Sequence, residues 1–576
     1  MKIKSLLIGM LACTALVGCT NNEDVVENNE QTVATKDKAY VVVNIMSSND
    51  PGSRGEPNDP PFYYGFADEN EVKHADFFFY DNNGEFVIKS RRVEATFTDN
   101  GNDEETDNHV ESISSCVAVL EGLNGTDFPS YVFAVLNASD DLVERLLNKD
   151  LTEAQAILAK TTTANSEGNN GIINKIGDEE YFIMSNSSFD GTGADYANVA
   201  TKVEPRHFLT ETPTKTEMTD DNVVTLYVER LAAKVEVKLA NGLSGDNAIE
   251  LGKYTVDNTE KTLKLTVKGW ALNATNKDSY IIKNIDNTWA DNKFADFSWN
   301  DPTKHRSYWG KSINYGGGTY PTSYGSTVQA DGTSNINTYT LNYVNYDEMQ
   351  PLTTTFYCAE NTNTTNILST GLATKATSVL LSAVVADETG NPIDLIRFDN
   401  VLYTEDNYKA RVLNKLQMSY WTANADNTGR REIAKTDLQI KKGYDGTITL
   451  ELTDAAKALT WFANKTATEN EASTATTTIN ELLAGDNVVA NYYEDGQMYY
   501  NIPIEHLENA EELAEGEYGV VRNHYYIVTI EKIENLGSAV HTPGEEIVPN
   551  EKETTYYVGA KINILSWKIV NQSASL

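Results

Sequence analysis

Cys19 is the residue to which the sequence assigns the clearest chemistry. It ends the tetrapeptide Leu-Val-Gly-Cys at residues 16–19, with small residues directly before the thiol. Lys2 and Lys4 give a positive start, and the apolar run at residues 6–17 is too short for a stable membrane-spanning helix. This is the pattern of a lipobox, whose thiol receives a diacylglycerol with acyl chains such as palmitate. Cys19 is therefore predicted to be lipidated; an ordinary secretory signal with an incidental cysteine is the alternative.

The residues that follow Cys19 cannot bury a core. The stretch 20–30 is mainly Asn, Glu, Asp and Thr, which favours a flexible tether. The sequence therefore predicts a lipoprotein signal peptide at residues 1–18 and a lipidated propeptide at residues 19–54. Contact with a membrane is expected only through a transient lipid, because no other stretch is long and apolar enough to cross one.

Arg54 is a second residue with a definable chemical role, because trypsin-like proteases cut after arginine. It is the first arginine of the chain, precedes Gly55, and lies in a Pro/Gly-rich loop that a protease can reach. The loop follows a strand pattern at residues 38–46 that is apolar on both faces and must be buried in a sheet. One face carries Tyr40, Val42 and Met46, and the other carries Val41, Val43 and Ile45. We interpret the segment as a removable strand; an ordinary first strand with a surface loop is the alternative.

The sequence contains no recognisable pattern of a catalytic or metal centre. The Gly-rich stretch 315–319 lacks the Lys of a phosphate-binding loop, and there is no GxSxG motif. The acidic stretch 99–107 has Gly101 and Glu104 where an EF-hand requires an oxygen ligand and a glycine. We therefore expect no enzyme activity, no cofactor and no metal site. The histidines lie outside HExxH and CxxC settings and are expected to be surface or strand residues: His74, His109, His207, His305, His506, His524 and His541.

Composition and charge narrow the class of protein. The formal net charge of −38 argues against nucleic-acid binding, which needs clustered Lys and Arg, and suits a secreted, soluble protein. The length of 576 residues indicates more than one domain. Cys13 leaves with the signal peptide, and Cys116 and Cys358 lie far apart, so no disulfide framework is expected. Stability must come from apolar burial.

Short alternating apolar runs separated by Asn, Asp and Gly clusters predict an all-β fold of β-sandwich domains. Residues 75–80 and 85–88 flank the turn 81–84 and predict a hairpin. Further strands are predicted at 130–137 and 179–185. A few short helices are also expected, since residues 140–160 carry leucines at helical spacing.

Two further segments define the organisation of the chain. A strand pattern opens at Val223, after a polar Thr-rich stretch, and predicts a boundary between an N-terminal domain at 55–222 and a C-terminal domain at 223–576. A second strand pattern at 554–576 runs to the last residue. On a strand, its alternate residues Val570, Gln572, Ala574 and Leu576 lie on one face. Such a strand invites pairing with another chain, so we interpret it as a donor strand.

Several motifs along the chain resemble the fimbrillin family, the type V pilins of Gram-negative anaerobes, and the likeness is strongest to the major shaft subunit of short (minor) fimbriae. The motifs are the lipobox at Cys19, the loop at Arg54, VERLAAKV at 228–235, MYYNIPI at 498–504, YGVVRNHYYIVTI at 518–530 and ILSWKI at 564–569. In one respect the sequence departs from the family, because the long Pro-rich insertion before the last strand is reduced to residues 537–550.

The resemblance implies a fold and a mode of assembly. It implies two transthyretin-like β-sandwich domains in tandem, and a precursor anchored in the outer membrane as a lipoprotein. It implies that a trypsin-like protease cuts between Arg54 and Gly55, and that the groove left by the first strand accepts a strand of the next subunit. The implied location is a fimbrium on the cell surface. The implied partners are other copies of the chain, anchor and tip subunits, the protease, and host or bacterial surface receptors.

Two other functions remain open from the sequence. A surface-anchored glycan-binding lipoprotein would share the lipobox, the acidic tether and the aromatic strands, but would not need a detachable strand. A secreted hydrolase would need a catalytic site, which the sequence does not reveal.

Replacing Cys19 with serine tests the lipidation step. Cys19→Ser is expected to abolish acyl labelling and surface delivery, because only a thiol accepts the lipid. Cys13→Ser, inside the signal peptide, is the control and should label normally. Normal surface delivery of Cys19→Ser would remove the lipoprotein step.

Overall fold

The structure is a computed structural model of the whole chain. The part of the chain that it describes comprises residues 38–48, 69, 71–97, 110–123, 128–160, 171–186, 200–213, 222–240, 243, 248–284, 310–315, 317–320, 339–362, 375–423, 429–443, 446–466, 475–506, 518–540, 544–549, 558–565 and 569–571. Cys19, Arg54 and Gly55 lie outside these residues, as do Gln572, Ala574 and Leu576.

Strands dominate the described residues, in agreement with the alternating apolar pattern. Those of the N-terminal part are β1 (Lys38–Ser48), β2 (Val72–Tyr80), β3 (Phe86–Lys89), β4 (Val93–Phe97), β5 (Val110–Glu121), β6 (Tyr131–Leu136), β7 (Leu158–Lys160), β8 (Ile173–Ile176), β9 (Glu179–Phe182), β10 (Met184–Asn186), β11 (Thr201–Lys202) and β12 (Val223–Arg230).

The chain continues with strands up to its C-terminal part. They are β13 (Ala232–Leu239), β14 (Ile249–Val256), β15 (Thr259–Asn273), β16 (Thr275–Asn276), β17 (Asp278–Tyr280), β18 (Leu341–Asn342), β19 (Phe356–Ala359), β20 (Asn361–Thr362), β21 (Ser378–Ala386), β22 (Leu395–Phe398), β23 (Val401–Tyr403), β24 (Trp421–Ala423), β25 (Arg430–Glu432), β26 (Leu438–Lys442), β27 (Thr447–Leu452), β28 (Ala490–Tyr493), β29 (Gln497–Pro503), β30 (Gly519–Val520), β31 (Tyr525–Ile533), β32 (Ser538–Ala539), β33 (Val558–Leu565) and β34 (Ile569–Asn571).

The helices are few and short. The α-helices are α1 (Asp140–Leu146), α2 (Leu151–Gln155), α3 (Glu405–Lys415), α4 (Asp454–Lys457) and α5 (Ala475–Leu483). Single 3₁₀ turns occur at Pro205–His207, Tyr346–Glu348, Lys435–Asp437, Asp486–Val488 and Glu494–Gly496. None of the helices in the described residues is long and apolar enough to span a membrane.

The N-terminal part forms one sheet of nine described strands around a single apolar core. Its main path runs β3-β2-β6-β10-β12-β1-β5, with β4 beside β2 and β11 beside β6. The Arg91 N–H donates to the Val119 carbonyl at 2.9 Å, which joins the β3–β4 connection to β5 at the opposite edge. The sheet therefore curls back towards its first edge and encloses side chains such as Phe77, Phe133 and Leu226.

The C-terminal part is a sandwich of two sheets. One has the strand order β19-β13-β31-β33-β34, and the other runs β26-β27-β28-β22-β23-β14-β15-β21-β29-β32. Val235 and Val528 from the first sheet share a core with Leu265, Leu381 and Tyr500 from the second. Apolar side chains of alternate positions from both sheets thus interdigitate between the layers.

The far end of the ten-stranded sheet carries a separate core that helices cover. Tyr408 and Val412 of α3, and Ile479 of α5, pack on Leu450 and Trp461. The Tyr408 hydroxyl donates to the Val488 carbonyl within this core. The sequence analysis did not predict this helix-covered lobe, which extends the second sandwich.

The all-β prediction is confirmed, and the hairpin of β2 and β3 lies where the turn residues placed it. Gly84 in its turn has φ of +80°, a conformation that glycine adopts without strain. Two details differ. The predicted strand at 179–185 is interrupted at Ile183, and the helical stretch at 140–160 contains two short helices and the strand β7.

The chain passes from the first sheet to the second after strand β12. Strand β12 belongs to the first sheet, where it pairs with β1 and β10. The chain leaves that sheet at Leu231 and continues as β13 in the second. The domain boundary at residues 222 and 223 stays a prediction.

Candidate functional site

Strand β1 lies in the interior of the first sheet. It pairs with β5 in antiparallel register from Lys38 opposite Glu121 to Ser48 opposite Val110, and with β12 in parallel register from Val42 opposite Val223. Beyond the start of β12, the Tyr40 N–H donates to the Leu209 carbonyl at 2.8 Å, and the Leu209 N–H donates back at 2.9 Å. The strand is therefore flanked by backbone partners on both edges.

The central side chains of β1 are buried on both faces. Val41 and Val43 are 0% exposed and belong to the core of the first sheet, together with Ala39. Val42 points to the other face and is 1% exposed. Because burying one such side chain contributes about 1.5–3 kcal/mol, these valines hold the strand firmly.

An ion pair lies at the first residue of β1, Lys38. The Lys38 ammonium is 3.1 Å from the Glu121 carboxylate, which also accepts from Arg91. The Arg91 guanidinium, followed by Lys38, lowers the pKa of Glu121. All three side chains are substantially exposed, so the pair fixes register and contributes little to stability.

Removal of β1 would leave a groove between β5 and β12. β1 is joined to β5 at ten register positions and to β12 at six. In the part of the chain that the structure describes, β10 pairs with β12 only at Val228, Glu229 and Arg230. The vacated edges would therefore present unpaired N–H and C=O groups above an apolar floor, an arrangement that favours entry of another strand.

Over the described residues, the edge strand β34 has fewer pairings than the opposite edge strand β19 of its sheet. It folds back on β33 in antiparallel register at three positions, from Asn571 opposite Asn563 to Ile569 opposite Leu565. The single long strand predicted for 554–576 is thus two strands over the described residues, β33 and β34. A three-position edge pairing is a weak constraint compared with that of β1.

A buried cluster of charges lies where β12 passes into β13. We call it the junction cluster; its members are Glu69, Glu229, Arg230, Lys234, Lys283, Glu360 and Arg522, none more than 3% exposed. The Lys234 ammonium is 2.7 Å from the Glu69 carboxylate, and the Lys283 ammonium donates to Glu229 at 3.3 Å. Arg522 donates to Glu360 and, at 2.7 Å, to the Tyr280 carbonyl.

Glu69 is hydrogen-bonded to residues of three strands, β12, β13 and β19. Its carbonyl accepts from the Arg230 guanidinium at 2.8 Å, and its carboxylate accepts from the Tyr357 hydroxyl at 2.6 Å as well as from Lys234. Lys234 lies directly between Tyr357 and Tyr525 on neighbouring strands, and its ammonium is 4.8 Å from the centre of the Tyr525 ring. Burial, and next the Glu69 carboxylate, raise the pKa of Tyr357, so its hydroxyl stays a donor.

The structure places only part of the predicted site residues. Tyr40, Val41, Val42 and Val43, with the backbone of Ile45 and Met46, lie together in β1, and Val570 lies in β34. Cys19 and the Arg54–Gly55 bond are outside the described residues. The prediction that β1 is removable, and that the C-terminal end replaces it, is not decided by these positions and stays a prediction.

Four histidines are buried, each at most 7% exposed: His74, His207, His506 and His524. His74 lies in strand β2, in agreement with the expected surface or strand positions, whereas the other three lie outside the strands. His506 accepts from or donates to the Tyr526 hydroxyl at 2.8 Å, so it serves the core. Burial lowers the pKa of His74 and of His207, which favours their neutral forms. His109, His305 and His541 lie outside the described residues.

The remaining reactive groups are distributed rather than collected into a centre. Across the described ranges, no three His, Cys, Asp or Glu side chains gather as a metal site. Cys116 and Cys358 are free thiols in different cores, and burial raises the pKa of each to about 12. Neither thiol is therefore activated as a nucleophile.

The junction cluster was not predicted as a site from the sequence. Two motifs quoted for the family resemblance, at 228–235 and 518–530, supply most of its charged residues, yet only the fold brings them together. A signal was present: Glu229, Arg230 and Lys234 are charges inside an otherwise apolar strand run. Such charges must be paired when buried.

Comparison with known proteins gives one family match. Residues 491–573, which include β29 to β34, match the family described as "Major fimbrial subunit protein type IV, Fimbrillin, C-terminal". This confirms the resemblance to the fimbrillin family. No curated protein sequence is detectably similar to the chain.

Some solved structures are similar at low identity. A candidate cell-adhesion protein of Parabacteroides distasonis shares 12% identity at a TM-score of 0.37, covering 93% of this chain and 97% of that chain. The tip fimbrial protein Mfa3 of Porphyromonas gingivalis, truncated at its C-terminus, shares 11% identity at a TM-score of 0.31, covering 91% and 99%. The fimbrial anchor protein Mfa2 of the same organism shares 10% identity at a TM-score of 0.17, covering 43% and 64%.

A charge placed in β1 tests how strongly the strand is held. Val41→Asp is expected to destabilise the protein by about 3 kcal/mol or more, because it puts a carboxylate into a dry core. Val87→Asp, on the 38% exposed Val87 of β3 in the same sheet, is the matched control. Denaturant unfolding measures both. Equal stability of the two variants would contradict the buried position of β1.

Proposed function

We propose that this chain is the structural subunit of a cell-surface fimbria, and that it polymerises by protease-triggered exchange of its first strand. The observation that carries the proposal is β1: an interior strand, buried on both faces, that precedes a predicted cleavage site at Arg54. The fimbrillin match over residues 491–573 supports a fimbrial role. A protein that stays a monomer has no use for a detachable interior strand.

The precursor is inert in this scheme because β1 fills its own groove. Cleavage after Arg54 separates β1 from the remainder of the chain, which begins at Gly55. The lipid on Cys19 remains with the released strand, so the mature subunit loses its membrane anchor together with β1. Exposed apolar floor and unpaired ladder groups then favour a strand of a second subunit, because both are costly to leave unsatisfied.

We assign the donor to the C-terminal end. Val570, Gln572, Ala574 and Leu576 alternate along it, and the described part of β34 is joined to β33 at three register positions. The alternating positions include a glutamine and a small alanine, so the donor also requires contacts from residues 562–569. A strand given by one subunit to the groove of the next is a head-to-tail contact that propagates a filament.

The other functions named above draw less support. A surface-anchored glycan-binding protein would keep its lipid and its first strand. The proposed partners are further copies of the chain, anchor and tip subunits, a trypsin-like protease and surface receptors. The proposed precursor is an outer-membrane lipoprotein, and we assign it no enzymatic role.

The start of the fibre subunit tests the cleavage step. The mature chain is expected to begin at Gly55, and Arg54→Ala should leave a lipidated precursor that does not polymerise. Arg206→Ala, at an exposed arginine paired with Glu204, is the control and should be processed normally. N-terminal sequencing of purified fibres decides the question, and fibre subunits that begin at Cys19 would sink the proposal.

Truncation tests the donor. Deleting residues 570–576 is expected to leave secretion and cleavage intact while polymer growth stops, because the groove of the next subunit stays empty. Electron microscopy and size analysis of the surface fraction measure the polymer. As a positive check, a cysteine in the groove and one near Leu576 should crosslink between subunits. Normal fibres from the truncated chain would show that another strand fills the groove.

A further inference from the structure

The junction cluster has no part in the strand exchange described so far. Its ion pairs are buried, join residues far apart in the sequence, and lie at the one point where the first sheet continues into the second. Buried ion pairs are expensive to form and give little net stability compared with apolar packing. Such ion pairs are therefore better suited to fixing the position of a particular element than to stabilising the fold.

Strand β12 is the element that the cluster can position. It forms one wall of the groove, and β1 covers its positions from Val223 to Val228. Within the described residues, β10 supports only Val228, Glu229 and Arg230, at the other end of β12. Once β1 has left, the stretch 223–227 keeps its core side chains, such as Leu226, but its backbone pairing depends on what anchors the other end of β12.

The anchor at that end consists of the cluster. The Arg230 guanidinium donates to the Glu69 carbonyl at 2.8 Å and to the Asn523 side chain at 2.8 Å. Four residues further on, Lys234 is bound to the Glu69 carboxylate. Arg230, the last residue of β12, is thereby bound to Glu69 and to the turn that precedes β31 in the second sandwich.

Glu69 lies fifteen residues after Arg54 and only three before β2. Its bonds to Arg230, Lys234 and Tyr357 therefore fix the chain just ahead of β2.

We propose that Glu69, with Arg230 and Lys234, is a clamp that keeps β12 and the residues just ahead of β2 in place while the groove is empty, so that the groove survives until a donor strand arrives. The proposal rests on the proposed removal of β1. Glu69 and Lys234 act as positioning residues: they hold the wall of the groove and do not contact the incoming strand. With β1 in place the clamp is partly redundant, because the ladder to β1 supports β12 as well.

The test compares chains with β1 bound and with β1 expelled, and needs no protease. Val41→Asp with Val43→Asp expels β1 from the intact chain by placing two charges in its core positions. Glu69→Gln breaks the clamp, and Glu250→Gln, at an exposed glutamate of β14, is the matched control. Hydrogen exchange of the amides at residues 223–239 is measured in each background.

With β1 expelled, Glu69→Gln is expected to speed exchange at 228–239 at least about tenfold relative to Glu250→Gln, since the buried Lys234 loses its nearest carboxylate and keeps only that of Glu236, 3.7 Å away. With β1 bound, the same change should alter exchange less than about threefold, because the ladder to β1 still holds β12. Adding Lys234→Met to Glu69→Gln removes both charges and should restore part of the protection. The double variant Val41→Ala with Val43→Ala loosens β1 without adding charge. In that background Glu69→Gln should again speed exchange more than Glu250→Gln, by a smaller factor.

Three results would overturn the clamp. The first is equal exchange in Glu69→Gln and Glu250→Gln when β1 is expelled. The second is an equally large effect of Glu69→Gln with β1 bound, which would make the cluster a general support. The third is unfolding of the first sheet in the expelled-strand chain although the cluster is intact. None of these results involves Arg54 or the C-terminus, so failure of the clamp and failure of strand exchange are separately visible.

Discussion

The backbone from Val223 to Leu239 sets the positions of both sheets. Its first half, β12, runs parallel to β1, and its second half, β13, runs parallel to β31. Leu231 and Ala232 lie in the first core, whereas Ala233 lies in the second. With one residue between the two strands, neither sheet can shift without moving the other. β12, which pairs with β1, and β13, which pairs with β31, are therefore parts of one continuous stretch of backbone.

The charges around this connection explain how a chain rich in carboxylates can bury so many of them. Each buried glutamate of the cluster faces Lys or Arg, which offsets part of the desolvation cost. Because the ion pairs require one particular fit of the two sheets, they specify relative position more than they add stability. Apolar packing in the cores on either side supplies the stability, and the pairs select which packing is formed.

Local signals in the sequence were sufficient to predict individual strands but not to predict which elements pack or pair with each other. The turn at 81–84 and the alternating runs predicted β2, β3 and β6, because turn chemistry and side-chain period act within a few residues. The break at Leu231 carries no glycine or proline, so the run from Val223 reads as one strand. Glu69 and Lys234 are separated by 165 residues, and no local pattern pairs them. The helix-covered lobe was missed because α5 and β27 share a core only in the folded chain, and no local pattern pairs them.

Under the proposed function, the peptide bond after Arg54 decides which strand occupies the groove. While residues 49–68 are covalently continuous, β1 is an intramolecular partner, and a short linker of this kind gives an effective concentration in about the millimolar range. A donor from another subunit must compete at its own far lower concentration, so exchange is suppressed although the groove accepts any suitable strand. Cleavage removes the tether, and the lipid retains the cut strand at the membrane. Proteolysis thus changes no contact of β1 but removes its concentration advantage. The ten pairings with β5 and the six with β12 then become available to a strand that no longer has to compete with a tethered one.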